Sequence, residues 1–180
     1  MEHEKRFAGT PERLRRPDRL ELLEVDKVLD LVLEGIEAET ALDVGTGSGV
    51  FAEAFARRGL RVTGIDPNPE MISASQRYVP DGTFREGTME SIPAADKSFD
   101  VVFMGHVLHE TDDLLGALRE ARRCARHRVA VLEWPYQVDD YRPPLAHRLK
   151  PQQIADAARE AGFSGIRQLR MAYMELTLLS

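Results

Sequence analysis

The sequence predicts an α/β fold, a parallel sheet with helices on its faces. Three observations carry this. From Thr40 onward, short apolar runs alternate with stretches of helical periodicity. The first run ends in a glycine cluster, Gly45 to Gly49, and the second ends in Asp66. The run Phe99 to Met104 is apolar nearly throughout, as a strand covered on both faces must be.

Taken in order, residues 1–38 form a charged, amphipathic N-terminal helical arm, and residues 39–180 form the domain itself. Pro11 and Pro17 punctuate the arm. Two short helices are expected, near 17–24 and 27–34. Their Leu20, Leu23, Val28, Leu31 and Val32 need a surface to bury against, beside the sheet or over the mouth of a site. Ala41 to Val44 is the first strand. A helix from Val50 to Arg58 follows, with Ser48 as its cap and Gly59 as its stop. Arg61 to Ile65 is the second strand, and Pro67 to Arg77 a helix opened by Asp-Pro-Asn-Pro. Thr83 to Glu86 is a short strand, Asp112 to Arg126 a helix, and Arg128 to Leu132 a strand. Pro151 to Ala161 is a helix closed by Gly162. The tail, Gly165 to Leu179, has room for two strands turning near Arg170-Met171, and so short a connection makes them antiparallel neighbours. Between them, residues 134–150 form a loop too long for an ordinary strand–helix connection.

Composition narrows the function. A length of 180 residues fits one domain. The net charge of −6 argues against a nucleic-acid partner. The arginines between Arg119 and Arg128 sit at a helix C-terminus, where cations offset the helix dipole. A single cysteine, Cys124, excludes an intrachain disulfide and a cysteine-based zinc site. No run approaches the roughly 20 apolar residues of a membrane span. The charged Met-Glu-His-Glu-Lys-Arg start is no secretory signal, so no membrane partner and a cytoplasmic location are expected.

The glycine cluster carries the chemistry. Asp43-Val44-Gly45-Thr46-Gly47-Ser48-Gly49 leaves a strand and opens a helix, where glycine lets the chain turn and a ligand approach closely. Asp66, twenty-one residues after Gly45, is placed to accept bonds from both ribose hydroxyls of a nucleoside, or to cap the helix behind Pro67. A dinucleotide fingerprint needs a small residue where Val50 stands. The actual pattern, G-x-G-x-G with Asp43 ahead of it, suits an amino-acid-bearing nucleoside whose ammonium Asp43 would help fix.

These residues resemble motif I of the class I S-adenosylmethionine-dependent methyltransferases, in particular a small, single-domain, type 11-like subgroup. Val62 to Asp66 resembles their acidic second strand, and Glu86 to Pro93 their adenine loop. Phe99 to His109 resembles their fourth strand and turn, and Arg128 to Trp134 their fifth strand. The resemblance runs in order over residues 40–180. It implies a Rossmann-like, doubly wound, seven-stranded, mostly parallel sheet with an antiparallel last strand. It also implies S-adenosylmethionine as cofactor and S-adenosylhomocysteine as product. Asp43, Gly45, Gly47, Asp66, Pro67, Met71, Thr88, Met89, Glu90 and Met104 would hold the cofactor, with Met71 and Met89 about the base. Thr88 stands where many relatives carry an aspartate that bonds the adenine amino group, and a threonine bonds it less strongly.

The acceptor side follows from the rule that open α/β sheets bind ligands beyond the carboxyl ends of their strands. His106 and His109, three apart and able to share a helical face, and Glu133 at a strand end are the catalytic candidates. Glu133 would orient substrate or pair with an arginine. The loop residues Trp134, Tyr136, Tyr141, Arg142, His147 and Arg148 would suit a planar or anionic molecule, or simply lie on the surface. No metal is expected. Because an arm and one loop are all that surround the core fold, the expected acceptor is a small molecule, and a homodimer stays open. Two alternatives remain: a non-catalytic S-adenosylmethionine-binding module or partner subunit, and a nicotinamide-dependent oxidoreductase. The absence of an Asn-Pro-Pro-Tyr signature keeps the first. Val50, with no Tyr-x-x-x-Lys pair, disfavours the second.

Overall fold

A computed structural model describes residues 7, 9–138 and 143–180. Tyr141 and Arg142 of the long loop lie outside the described residues. The arm forms three helices, α1 (Pro11–Leu14), α2 (Pro17–Leu23) and α3 (Val25–Leu33). Proline opens α1 and α2, where its missing N–H has no helical acceptor to lose. The left-handed Glu24 separates α2 from α3.

The core continues as β1 (Thr40–Val44), α4 (Val50–Arg57), β2 (Arg61–Asp66), α5 (Pro69–Tyr78), β3 (Thr83–Glu86), β4 (Phe99–Gly105), α6 (Leu114–Cys124), β5 (Ala125–Glu133), α7 (Pro151–Glu160), β6 (Ile166–Arg170) and β7 (Glu175–Leu179). Among the described residues, seven strands form one sheet in the order β3-β2-β1-β4-β5-β7-β6. The first five run parallel. β7 inserts between β5 and β6, antiparallel to both. The strand order reverses between β1 and β4, which opens a crevice beyond their carboxyl ends.

Strand alternation sorts the core into two layers. Val102 and Met104 of β4 join Leu42, Val44 and Val131 beneath α6 and α7. Val101 and Phe103 join Ala41, Val62 and Leu132 beneath α3 and α4. The arm's Leu23, Val28 and Val32 are fully buried in this second layer. The arginine run ties the surface together: Arg123 bonds Glu120, Asp96 and the carbonyls of Ile92 and Ala94, and Arg126 bonds Asp100.

Several boundaries differ from the sequence reading. Ser48 does not cap α4; the left-handed Gly49 occupies that place, and the helix has no side-chain cap. Asp66 does not cap α5, which begins at Pro69 behind Asn68, whose Oδ1 accepts from the Glu70 N–H at 2.9 Å. The helix expected from Asp112 starts at Leu114, after Asp113 caps it. A separate 3-10 turn, Leu108–Glu110, precedes it. His106 lies outside that turn in a left-handed conformation, φ 57°, so His106 and His109 do not share a helical face.

Candidate active site

The loop after β1 is held by its own backbone. The Gly45 and Thr46 N–H groups both donate to the Ile65 carbonyl, at 2.8 and 2.9 Å. Gly45 and Gly47 have φ of 69° and 53°, which an L side chain rarely adopts. The Gly47 N–H donates to Asp66 Oδ2 at 2.9 Å, and the Asn68 N–H donates to Oδ1 at 2.9 Å. Asp66 therefore joins the ends of β1 and β2. Burial raises its pKa against those two bonds. Asp43 is buried beneath the loop and accepts from Thr46 Oγ1 at 2.8 Å. Burial pushes its carboxyl up to about 7, against the Thr46 bond and with help from the Asp66 charge.

The arm closes over this loop. Arg15 donates from Nε and Nη2 to the Ser48 carbonyl at 3.1 and 2.9 Å, and from Nη1 to Glu53 at 2.7 Å. Its guanidinium lies 3.3 Å over the Tyr78 ring. The Phe7 N–H reaches Glu110 Oε1 at 3.0 Å. No periodicity in the sequence reports these contacts, which join residues dozens of positions apart. The one available signal was that the arm's apolar face needed a partner.

A cavity of about 1110 Å³ lies between the arm and the carboxyl ends of the strands. Its volume lies just above the usual range of roughly 300–1,000 Å³ for ligand pockets. Asp43, Gly45, Gly47, Asp66, Pro67, Met71, Thr88, Met89 and Glu90 all line one end. Glu90 there accepts from Thr111 Oγ1 at 2.6 Å. Met104 does not reach the cavity. Strand alternation turns it into the core layer under α6, where it is fully buried.

At the other end, His106 lies against Trp134, ring centroids 4.5 Å apart. Both ring nitrogens of His106 are buried without a hydrogen-bond partner. Burial, then the charges of Arg19 and His109, hold its pKa well below the usual histidine range. His109 Nδ1 lies 2.8 Å from Glu133 Oε2, and its backbone N–H donates to Oε1 at 3.1 Å. Burial opposes charge on His109, but the Glu133 carboxylate outweighs it and raises the pKa. Glu133 itself is buried and does not line the cavity. Among the described residues it neither lines the cavity nor pairs with an arginine; it sits one layer behind, on His109. Glu110 also lines the cavity, and burial raises its pKa to about 7. Arg148, read as a loop cation, is buried and bonds the carbonyls of Pro135, Gln137 and Pro143. Among the described residues no cluster of His, Cys, Asp or Glu is placed to hold a metal.

The donor set fits S-adenosylmethionine. Asp66 at the end of β2 suits ribose hydroxyls, and the buried acid Asp43 suits an ammonium. Ser48 Oγ is buried at the cavity wall with no protein partner, as expected of a group that serves a polar ligand.

Known proteins agree with this geometry. Residues 42–132 match a family model described as a methyltransferase domain. The demethylmenaquinone methyltransferase of Chlorobaculum parvum is 38% identical over 92 residues, 51% of this chain and 38% of that protein. A Methylobacterium ubiquinone biosynthesis O-methyltransferase is 35% identical over 97 residues, 52% of this chain and 39% of that protein. The chain thus spans less than half the length of these curated relatives. The crystal structure of a SAM dependent methyltransferase from Aquifex aeolicus superposes with a TM-score of 0.82 at 25% identity, covering 94% of this chain and 95% of that one. Family match, strand order and the fit of the acid-lined cavity end agree: the chain belongs to the type 11 subgroup of class I S-adenosylmethionine-dependent methyltransferases, with S-adenosylmethionine as its cofactor.

Proposed function

We propose that this protein transfers a methyl group from S-adenosylmethionine to a small planar molecule. The observation that carries the reading is the single cavity that joins the Gly45–Asp66 end to the His106–Trp134 end. The named activities of the quinone-pathway relatives support a ring-bearing acceptor. The described part of the arm, residues 7 and 9–38, roofs the chamber, and the domain that begins at residue 39 is its catalytic core. When bound, the cofactor supplies an electrophilic methyl group on a sulfonium.

The chain's residues then supply placement and proton handling. Asp66, the glycine loop and the Met71–Met89 wall orient the nucleoside. Placement alone is worth up to about 7–11 kcal/mol of barrier. Trp134 and the uncharged His106 ring form a flat wall for the acceptor. His109 is the base for an oxygen or nitrogen acceptor: Glu133 holds Nδ1 and leaves Nε2 for the proton. Glu133 is a positioning residue, fixing the tautomer and stabilising the protonated ring.

Calorimetric titration with S-adenosylmethionine and S-adenosylhomocysteine tests the first half. Micromolar binding is expected, lost in Asp66→Ala. Labelled methyl transfer to a panel of phenolic and quinol acceptors tests the second, with turnover expected in wild type and lost in His109→Gln. Cofactor binding with no transfer to any ring-bearing acceptor would favour a non-catalytic module instead.

A further inference from the structure

The cavity is divided by charge. Asp43 and Asp66 make its cofactor end acidic, while Arg13, Arg16 and Arg19 line its arm side. Arg16 is paired with Asp18 at 3.1 Å. Arg19 is half-buried and has no carboxylate partner among the described residues; Nη1 donates to the Leu14 carbonyl at 3.0 Å. A guanidinium carries five donors, and desolvation without a counter-charge is unfavourable, which lowers the Arg19 pKa. Of the other partly buried arginines, Arg15 and Arg123 each hold a carboxylate, while Arg128 donates to the Val32 and Glu34 carbonyls. The position of Arg19 is also informative. Its charge bears on the buried His106 ring, which packs on Trp134 at the cavity wall, so the guanidinium stands near that end.

We propose that Arg19 is the anion receptor of the acceptor subsite. The acceptor is then a planar small molecule bearing a carboxylate or phosphate, its charged group on Arg19 and its ring against His106 and Trp134. The proposal rests on the reading of the cavity as a methyl-transfer chamber. A guanidinium grips such groups through paired N–H bonds, whereas it gains nothing comparable from a neutral ring.

Trp134 is the only tryptophan in the chain, so its fluorescence reports occupancy beside His106. With S-adenosylhomocysteine bound, the protein is titrated with 4-hydroxybenzoate and with its neutral isostere 4-hydroxybenzamide. The benzoate should bind at least about tenfold more tightly. Arg19→Gln should abolish that preference, Arg19→Lys should keep part of it, and the S-adenosylhomocysteine Kd should stay within about twofold. Equal affinity for the two probes, or no response to either at millimolar concentration, overturns the proposal. So does a preference that survives in Arg19→Gln. A tenfold weaker S-adenosylhomocysteine Kd in Arg19→Gln would overturn it too, by moving the guanidinium to the cofactor's own carboxylate. Failure of the wild-type protein to bind S-adenosylhomocysteine would instead sink the underlying methyltransferase reading, a distinct result.

Discussion

Replacing Gly45 with alanine puts a defined strain on the cofactor loop. Gly45 holds φ at 69°, and a left-handed alanine costs about 1–2 kcal/mol. The added Cβ would also lie 2.5 Å from Val107 Cγ2 and 2.8 Å from Val107 Cβ. Val107 is buried and β-branched, so it cannot swing aside through a free χ1, and such overpacking costs about 1–3 kcal/mol. The sum is about 2–5 kcal/mol. For a chain of this length each kcal/mol moves Tm by roughly 2–4 °C, so a fall of about 4–20 °C is expected. Circular-dichroism melts of Gly45→Ala, Val107→Ala and the double variant form the assay. The double variant retains the backbone strain and the 2.8 Å approach to the Cβ of residue 107, but loses the 2.5 and 3.3 Å contacts with the two γ carbons. It should therefore be more stable than the sum of the single losses by about 1–2 kcal/mol, the γ carbons' share of the overpacking. Additivity within about 0.5 kcal/mol would refute the clash.

Three further outcomes are expected. Glu133→Gln removes the charge behind His109, so the His109 pKa should fall and the alkaline rise of the pH–rate profile should move to lower pH; an unmoved His109 titration by NMR would contradict the pairing. Asp43 and Glu110, both pushed up to about 7 by burial, bind protons more tightly folded than unfolded. Their contribution to the stability of the cofactor-free protein is therefore complete below about pH 4 and lost as pH rises through about 7. The cationic cofactor favours their ionised forms, so its Kd should fall between pH 6 and 8, by at most about tenfold per unit for each group. A pH-independent Kd would exclude both carboxylates from its site. Arg148→Ala would leave the Pro135, Gln137 and Pro143 carbonyls short of a donor, costing roughly 2–4 kcal/mol and speeding proteolysis within residues 134–150; unchanged cleavage would mean the loop is held by other contacts.

Much of the fold was legible because it rests on local rules. Alternation and apolar runs marked every strand of the sheet. Gly59 and Gly162, both at positive φ, marked helix ends, and the short tail connection required the antiparallel hairpin. Helix starts were less legible. Ser48, Asp66 and Asp112 are all good capping residues, yet Gly49, Asn68 and Asp113 take those places. Capping chemistry is shared by neighbouring polar residues, and loop geometry chooses among them.

The cofactor end was written into consecutive residues, because a glycine loop and an acid at the next strand end are local consequences of a strand–turn–helix unit. The acceptor end was not. His106 and Trp134, His109 and Glu133, and Arg19 beside them come from separate segments that meet only when the sheet closes and the arm folds over it. Strand parity, likewise, turned Met104 into the core and Glu133 behind His109. Residue types and their order were enough to name the cofactor. Which side chains line the far end of the cavity, and with what charge, depended on long-range packing that no short stretch of sequence encodes.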